Sequence, residues 1–377
     1  MASWTLFSPP CSPVTLPTSS AAKTNAASNN KCYCFWRSSS SEKKRAIRRI
    51  ITKATEEGES SSSSSGSKDE ETPGFNPFGL SFDNLSSVTG SADSRLGTIV
   101  FLHGAPSHSY SYRNVMSQMS DAGFHCFAPD WLGFGFSDKP EKGYDDFDFT
   151  ENEFHEELDK LLDVLEIKSP FFLVVQVNVG MWRLTCIANL SFQILLKGFL
   201  VGSYGLTWAL KNPSRISKLA ILNSPLTASS PLPGLFQQLR IPLLGEFTAQ
   251  NAIMAERFIE AGSPYVLKLD KADVYRLPYL ASSGPGFALL EAARKVNFKD
   301  ISSRIGAGFS SGSWDKPVLV AWGISDKYLP QSVAEEFQKG NPNVVKLQMI
   351  EGAGHMPQED WPEKVVDGLR YFFLNYT

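Results

Sequence analysis

The stretch Lys197 to Thr207 has the arrangement from which a chain presents a nucleophile. A strand-like run precedes it and a helix-like run follows. Gly198 and Gly202 sit two before and two after Leu200, the spacing of small residues that a sharp strand-to-helix turn needs. Leu200 has no hydroxyl, carboxylate or thiol, so covalent catalysis has no agent at that position. Two other registers are open. Phe199 takes the place if the turn carries an inserted residue, and Ser203 brings a hydroxyl but has Val201, not a small residue, two positions earlier. Helix length favours Leu200, because Asn212-Pro213 stops the helix 12 residues on from Leu200 but only nine on from Ser203.

Other residues with chemistry to offer lie at the ends of buried strands. The apolar run over residues 97–102 ends in His103-Gly104-Ala105-Pro106, where a backbone N–H can meet developing negative charge without reorganising. The run over 124–129 closes in Asp130 to Ser137, and Pro317 to Gly323 is followed by Asp326. Val344 to Ile350 leads into Glu351-Gly352-Ala353-Gly354-His355. Between them, Thr150 and Glu153 make a capping box for a helix carrying Phe154, Leu158, Leu161, Leu162 and Leu165 at helical spacing. His155 stands one residue off that stripe and is expected to face solvent. Phe171 to Val175 reads as the central strand and Leu219 to Asn223 as the next, so the chain alternates strands and helices as βαβ units do.

The motifs His103-Gly104-Ala105-Pro106-Ser107, Ser109-Tyr110-Ser111-Tyr112-Arg113, Asp130 to Ser137 and Leu173-Val174-Val175-Gln176 together resemble the haloalkane dehalogenase and epoxide hydrolase branch of the α/β-hydrolases, over about residues 95–377. The resemblance implies an α/β fold: a mostly parallel central sheet flanked by helices, with a helical cap inserted after the sixth strand. It implies a core over 76–226 and 314–377 and a cap over 227–313. It places the orienting acid at Asp326 and the base at His355, in the chain order nucleophile, acid, histidine. Such a pair can still take a proton from water or a ligand. Oxyanion and pocket positions fall on His103, Gly104, Ala105 and Val201. Dehalogenation fits poorly, because Ala105 and Val201 supply no side-chain N–H. Tyr265, Tyr275 and Tyr279 are the cap tyrosines whose hydroxyls could reach a ligand, although ordinary packing is the plainer expectation for each.

The resemblance breaks between Gln176 and Gly198. Residues 177–197 show neither helical nor alternating period, and removing them would join Val174-Val175-Gln176 to Gly198-Phe199-Leu200 as one strand and turn. They are expected to be an unspliced or mis-predicted segment, the alternative being a genuine looped-out insertion.

Composition bounds the remainder. Nine of the 36 Lys and Arg fall in residues 1–53 against one acid, leaving 27 basic and 38 acidic residues, a net of −11, for the rest. A folded part that acidic is a poor nucleic-acid binder. The basic, Ser- and Thr-rich start lacks the apolar core of a secretory signal and reads as a chloroplast transit peptide over 1–54, leading to the plastid stroma, with a solvated linker over 55–75. Cys126 and Cys186 lack metal-spaced histidines, and no apolar run reaches the roughly 18 residues a membrane helix wants. No metal or other cofactor is expected, and the partner is a small, apolar molecule. Three functions fit: a hydrolase of a small plastid metabolite (ester, epoxide or related bond), a non-catalytic ligand-binding protein, or noncovalent proton chemistry by His355 and Asp326.

Overall fold

The computed structural model describes residues 32–33, 96–140, 147–177, 201–231, 239–263 and 269–376. Most of the expected transit peptide, the linker, residues 178–197 of the expected insert, Phe199, Leu200 and Tyr265 lie outside the described residues.

Among the described residues seven parallel-paired strands form one sheet: β1 (Cys32–Tyr33), β2 (Thr98–Leu102), β3 (His125–Phe127), β4 (Phe171–Gln176), β5 (Ile216–Leu222), β6 (Val318–Gly323) and β7 (Val345–Ile350), in the order β1-β3-β2-β4-β5-β6-β7. Alternate residues feed two cores, as a pleat with apolar side chains on both faces requires. On one face Ile99, Phe101, Val174, Ala220 and Leu319 meet α1 (Arg113–Asp121) and α11 (Pro362–Asn375) through Val115, Met119, Leu369 and Phe372. On the other, Val100, Leu102, Leu173, Val175, Ile221 and Val320 meet α2 (Glu151–Val164), α3 (Val201–Lys211) and α9 (Ser332–Gly340). Each of the Val, Leu, Ile, Met and Phe side chains among them, fully buried, contributes about 1.5–3 kcal/mol.

The expected capping box forms: Thr150 Oγ1 accepts from the Glu153 amide at 3.4 Å and the Glu153 carboxylate accepts from the Thr150 amide at 2.9 Å. Helix α3 ends at Lys211, just before Asn212-Pro213. The helices α4 (Leu244–Ala249), α5 (Ala252–Gly262), α6 (Leu269–Ala281), α7 (Gly284–Lys295) and α8 (Phe298–Gly308) lie between β5 and β6, so the cap follows the fifth described strand rather than the sixth. Residues 76–95 are outside the described residues. Helix α8 packs on α3: a Cβ on Gly308 would stand 2.5 Å from Leu210. A short helix α10 (Pro357–Asp360) follows β7.

Candidate active site

Asp326 and His355 come together as expected. Asp326 lies just beyond β6 and His355 just beyond β7, at the carboxyl ends of neighbouring strands. Gly323 lets the two loops close, since a Cβ there would stand 2.1 Å from the Gly354 carbonyl. His355 Nδ1 lies 2.8 Å from Asp326 Oδ2, with the two side chains 0% and 1% exposed. The carboxylate is filled on all sides. Asn223 Nδ2 donates to Oδ2 at 2.8 Å, and the amides of Tyr328 and Leu329 donate to Oδ1 at 2.7 and 3.1 Å. With the carboxylate oxygen accepting from the ring, the proton sits on Nδ1, and Nε2 is the nitrogen left with a lone pair. The Tyr328 ring meets the imidazole edge-on, with centroids 5.2 Å apart.

Asn223 escaped the sequence reading, which took it only as the end of a strand. It is the bracket between β5 and the acid: its Oδ1 accepts from the Gly323 amide at 2.8 Å while its Nδ2 holds Asp326. Gln176 escaped as well. Its Nε2 donates to the His355 carbonyl at 2.8 Å, and Gln358 Nε2 donates to its Oε1. Polar residues at strand ends next to Gly-rich loops are a signal that could have marked both.

The described chain leaves β4 and re-enters α3 at one place. Val177, first residue of the expected insert, is buried in the core, and its amide donates to Ser224 Oγ at 3.0 Å. A Cβ on Gly202 would stand 2.2 Å from the Gln176 carbonyl and 3.0 Å from Val177 Cα. Glycine at 202 is therefore required by the close approach of helix to strand end. Val201 opens α3 fully buried, and its N–H, as the first of a helix, has no intrahelical acceptor. Leu200, one residue earlier, lies outside the described residues. Ser203 is also fully buried, and its hydroxyl has no hydrogen-bond partner among the described residues. The structure therefore does not pair Ser203 with His355.

The His103-Gly104-Ala105 turn is rigid. The His103 ring accepts the Trp131 amide on Nε2 at 3.0 Å and contacts the Gly104 carbonyl through Nδ1 at 3.2 Å. Burial pushes its pKa below the usual histidine range. The ring is thus a neutral strut and offers no side-chain donor to a ligand. Asp130 braces the same loop, accepting from the Ser109 amide at 2.7 Å and the Phe136 amide at 2.8 Å. Ala105 is fully buried, and its amide meets no backbone acceptor among the described residues.

Tyr275 and Tyr279 make structural ties, in line with the plainer of the two expectations for them. Tyr275 donates to the Glu359 carboxylate, which Arg113 also grips through both terminal nitrogens, so its hydroxyl ties cap to core. Tyr279 reaches the Pro106 carbonyl at 3.4 Å, beside the His-Gly turn. His155 corrects the sequence expectation outright. It is buried, with Nε2 against the Tyr204 carbonyl at 3.0 Å and Thr207 Oγ1 at 3.1 Å, and Nδ1 facing Lys211 Nζ at 3.2 Å. It is a core linker between α2 and α3. The stripe of α2 is wide enough to include it, because α3 covers that flank as well as the sheet.

Among the described residues no group of three or more His, Cys, Asp and Glu side chains is placed to hold a metal ion, and no helix is long and apolar enough to cross a membrane.

Comparison with known proteins places this geometry. Residues 99–368 match the alpha/beta hydrolase family. A cis-3-alkyl-4-alkyloxetan-2-one decarboxylase of Xanthomonas campestris pv. campestris is 26% identical over 293 residues, 73% of this chain and 87% of that protein. A haloalkane dehalogenase of Mycolicibacterium paratuberculosis is 26% identical over 242 residues, 61% of this chain and 68% of that protein. Among solved structures, a haloalkane dehalogenase of Bradyrhizobium elkani superposes with a TM-score of 0.58 at 22% identity, covering 76% of this chain and 91% of that one. A sheet whose strand ends carry a buried acid and histidine in this order, over a match spanning most of the chain, leads to one assignment: the protein belongs to the alpha/beta hydrolase family.

Proposed function

We propose that the protein hydrolyses a small apolar ester or lactone in the plastid stroma, with His355 activating water directly and no covalent intermediate on the chain. The observation that carries the reading is the buried 2.8 Å contact between His355 and Asp326, with three further donors on the carboxylate. Such a pair costs several hydrogen bonds and a desolvated charge to maintain, and its use is to stabilise an imidazolium. In the step it supports, His355 Nε2 takes a proton from water as the water oxygen bonds to the acyl carbon. The carbonyl oxygen, now negative, is met by backbone N–H groups at Ala105 and Val201. When the acyl–oxygen bond breaks, the imidazolium returns its proton to the leaving alkoxide.

Leu200 is what sets this route apart from ester formation on the elbow, because leucine can form no such bond. An acyl substrate also suits the turns at Ala105 and Val201 better than a haloalkane, since neither residue carries a side-chain N–H for a halide. The oxetan-2-one named for one relative is itself a four-membered lactone. Plastid targeting rests on the basic, acid-poor start of the chain.

The test is a panel of short-chain esters and β- and γ-lactones, followed by a single turnover in ¹⁸O-water. Label in the product acid and none in the protein, with turnover lost in His355→Ala, is the expected result. Leu200 also favours a second reading, a binding protein that keeps the fold without the reaction. Tight binding of apolar ligands, unaltered by His355→Ala and without turnover, would establish that reading instead.

A further inference from the structure

We propose that Asp360 is a positioning residue that fastens the end of the cap helix α5 to the backbone of the histidine loop, and so sets the place of the His355 ring. The proposal rests on His355 being the working base.

The carboxyl of Asp360 is 2% exposed and reaches two separate elements. One oxygen accepts the Gly354 amide at 2.6 Å, the residue immediately before His355. The other is hydrogen-bonded to Ser263 Oγ, on the residue that caps the carboxyl end of α5. The adjoining contact runs the same way, since the His355 amide donates to the carbonyl of Gly262, the last residue of α5, at 2.7 Å. A Cβ on Gly262 would come within 3.4 Å of His355 Cβ and 3.1 Å of the Tyr328 ring, so cap and base loop are in direct contact. From the core side Gln176 holds the His355 carbonyl. The base is thus held on one side by β4 and on the other by the cap, and Asp360 is the side chain common to cap and loop.

Asp360 works through hydrogen bonds rather than charge. The groups facing it are Ser263, the Gly354 amide, His355 and the neighbouring Glu359. The Glu359 carboxylate is itself occupied by Arg113 and Tyr275, so no cation is left to pair with Asp360 among these contacts. Burial pushes the Asp360 carboxyl up to about 6, which makes the neutral acid inexpensive at this position. A neutral acid keeps both contacts, because its O–H can donate to Ser263 while the other oxygen still accepts from Gly354. An amide of the same shape can do likewise.

That equivalence supplies the test, made on the full chain without substrate so that failure of the proposed hydrolysis cannot be confused with failure of the latch. The proton shared by His355 and Asp326 is followed by NMR, and exchange of the Gly262 and Ser263 amides is followed by mass spectrometry. Asp360→Ala is expected to weaken or shift the shared-proton signal and to speed exchange at the end of α5 by about tenfold or more, as loss of a buried hydrogen-bonding partner implies. Asp360→Asn is expected to keep both readings at the wild-type level. If Asp360→Ala does not fold, Ser263→Ala decides the matter through faster exchange at the end of α5 in a folded core. An Asn variant that behaves like the Ala variant would show that charge is what acts. That result, or an unchanged signal and unchanged exchange in the Ala or Ser263→Ala protein, overturns the proposal.

Discussion

Asp326 is the residue on which the candidate chemistry turns, because its contact with Nδ1 fixes which nitrogen of His355 carries the proton. Asp326→Asn keeps the volume but turns one of its acceptors into a donor, so the imidazole loses the tautomer with a basic Nε2. Hydrolysis of the best ester or lactone should then fall by about 10³–10⁴-fold, measured as kcat with unchanged circular dichroism. Ser203 is the opposite case. Its hydroxyl is buried without a partner among the described residues, so Ser203→Ala removes an unsatisfied polar atom and leaves no catalytic contact behind. Thermal stability should change by less than about 0.5 kcal/mol or rise, and activity should stay as in the wild type. An active-site probe that labels Ser203, with labelling lost in Ser203→Ala, would sink both the register and the noncovalent route.

The packing of α2 on α3 carries its own pH dependence through His155. Burial, and secondarily the charge of Lys211, push this imidazole from 6.5 down to about 4. The folded ring is therefore neutral where an unfolded one is already protonated. Its contribution to stability is complete above about pH 6.5 and is lost as pH falls toward 4, since there the unfolded chain binds more protons. The loss is on the order of 2 kcal/mol. His108, likewise pushed down to about 4 by burial, acts in the same direction. Denaturant titrations between pH 7 and 4.5 should show a steep decline in wild type and a shallower one in His155→Gln, whose amide can still donate to the Tyr204 carbonyl. Parallel curves would remove His155 from the account.

The junction of β4 with α3 makes a second prediction about elements. Gln176, Val177 and Gly202 are packed together, so the chain returns after residue 200 to the point it left. Deleting residues 177–197 brings Gly198 up to Gln176 and shortens the connection to the tight turn that this geometry accommodates. The deletion protein should be more soluble and melt at a higher temperature, because 21 largely apolar residues no longer separate the end of β4 from the turn before α3. A lower melting temperature would make the segment part of the fold.

For the whole molecule, the contrast between a basic first segment and an acidic remainder is what supports the proposed plastid targeting. Residues 1–54 fused to a fluorescent reporter should carry it into plastids and be cleaved on the way, and a reporter that stays in the cytosol would refute this. The elements downstream were legible for local reasons. Buried strands appear as apolar runs at 99–102, 171–175 and 318–323, and Thr150 with Glu153 and Pro213 mark helix ends through contacts a few residues long. Asp326 and His355 were legible because each follows such a strand in the order the resemblance requires. The rest depends on sheet order. Gln176 meets His355 across 179 residues and Asn223 meets Gly323 across 100, and no periodicity reports pairings that only the adjacency of β4, β5, β6 and the β7 loop creates. For the same reason His155 reads as solvent-facing until α3 is laid against it. Asp360 has no local signal at all, and its role exists only once the cap brings Ser263 to its other oxygen.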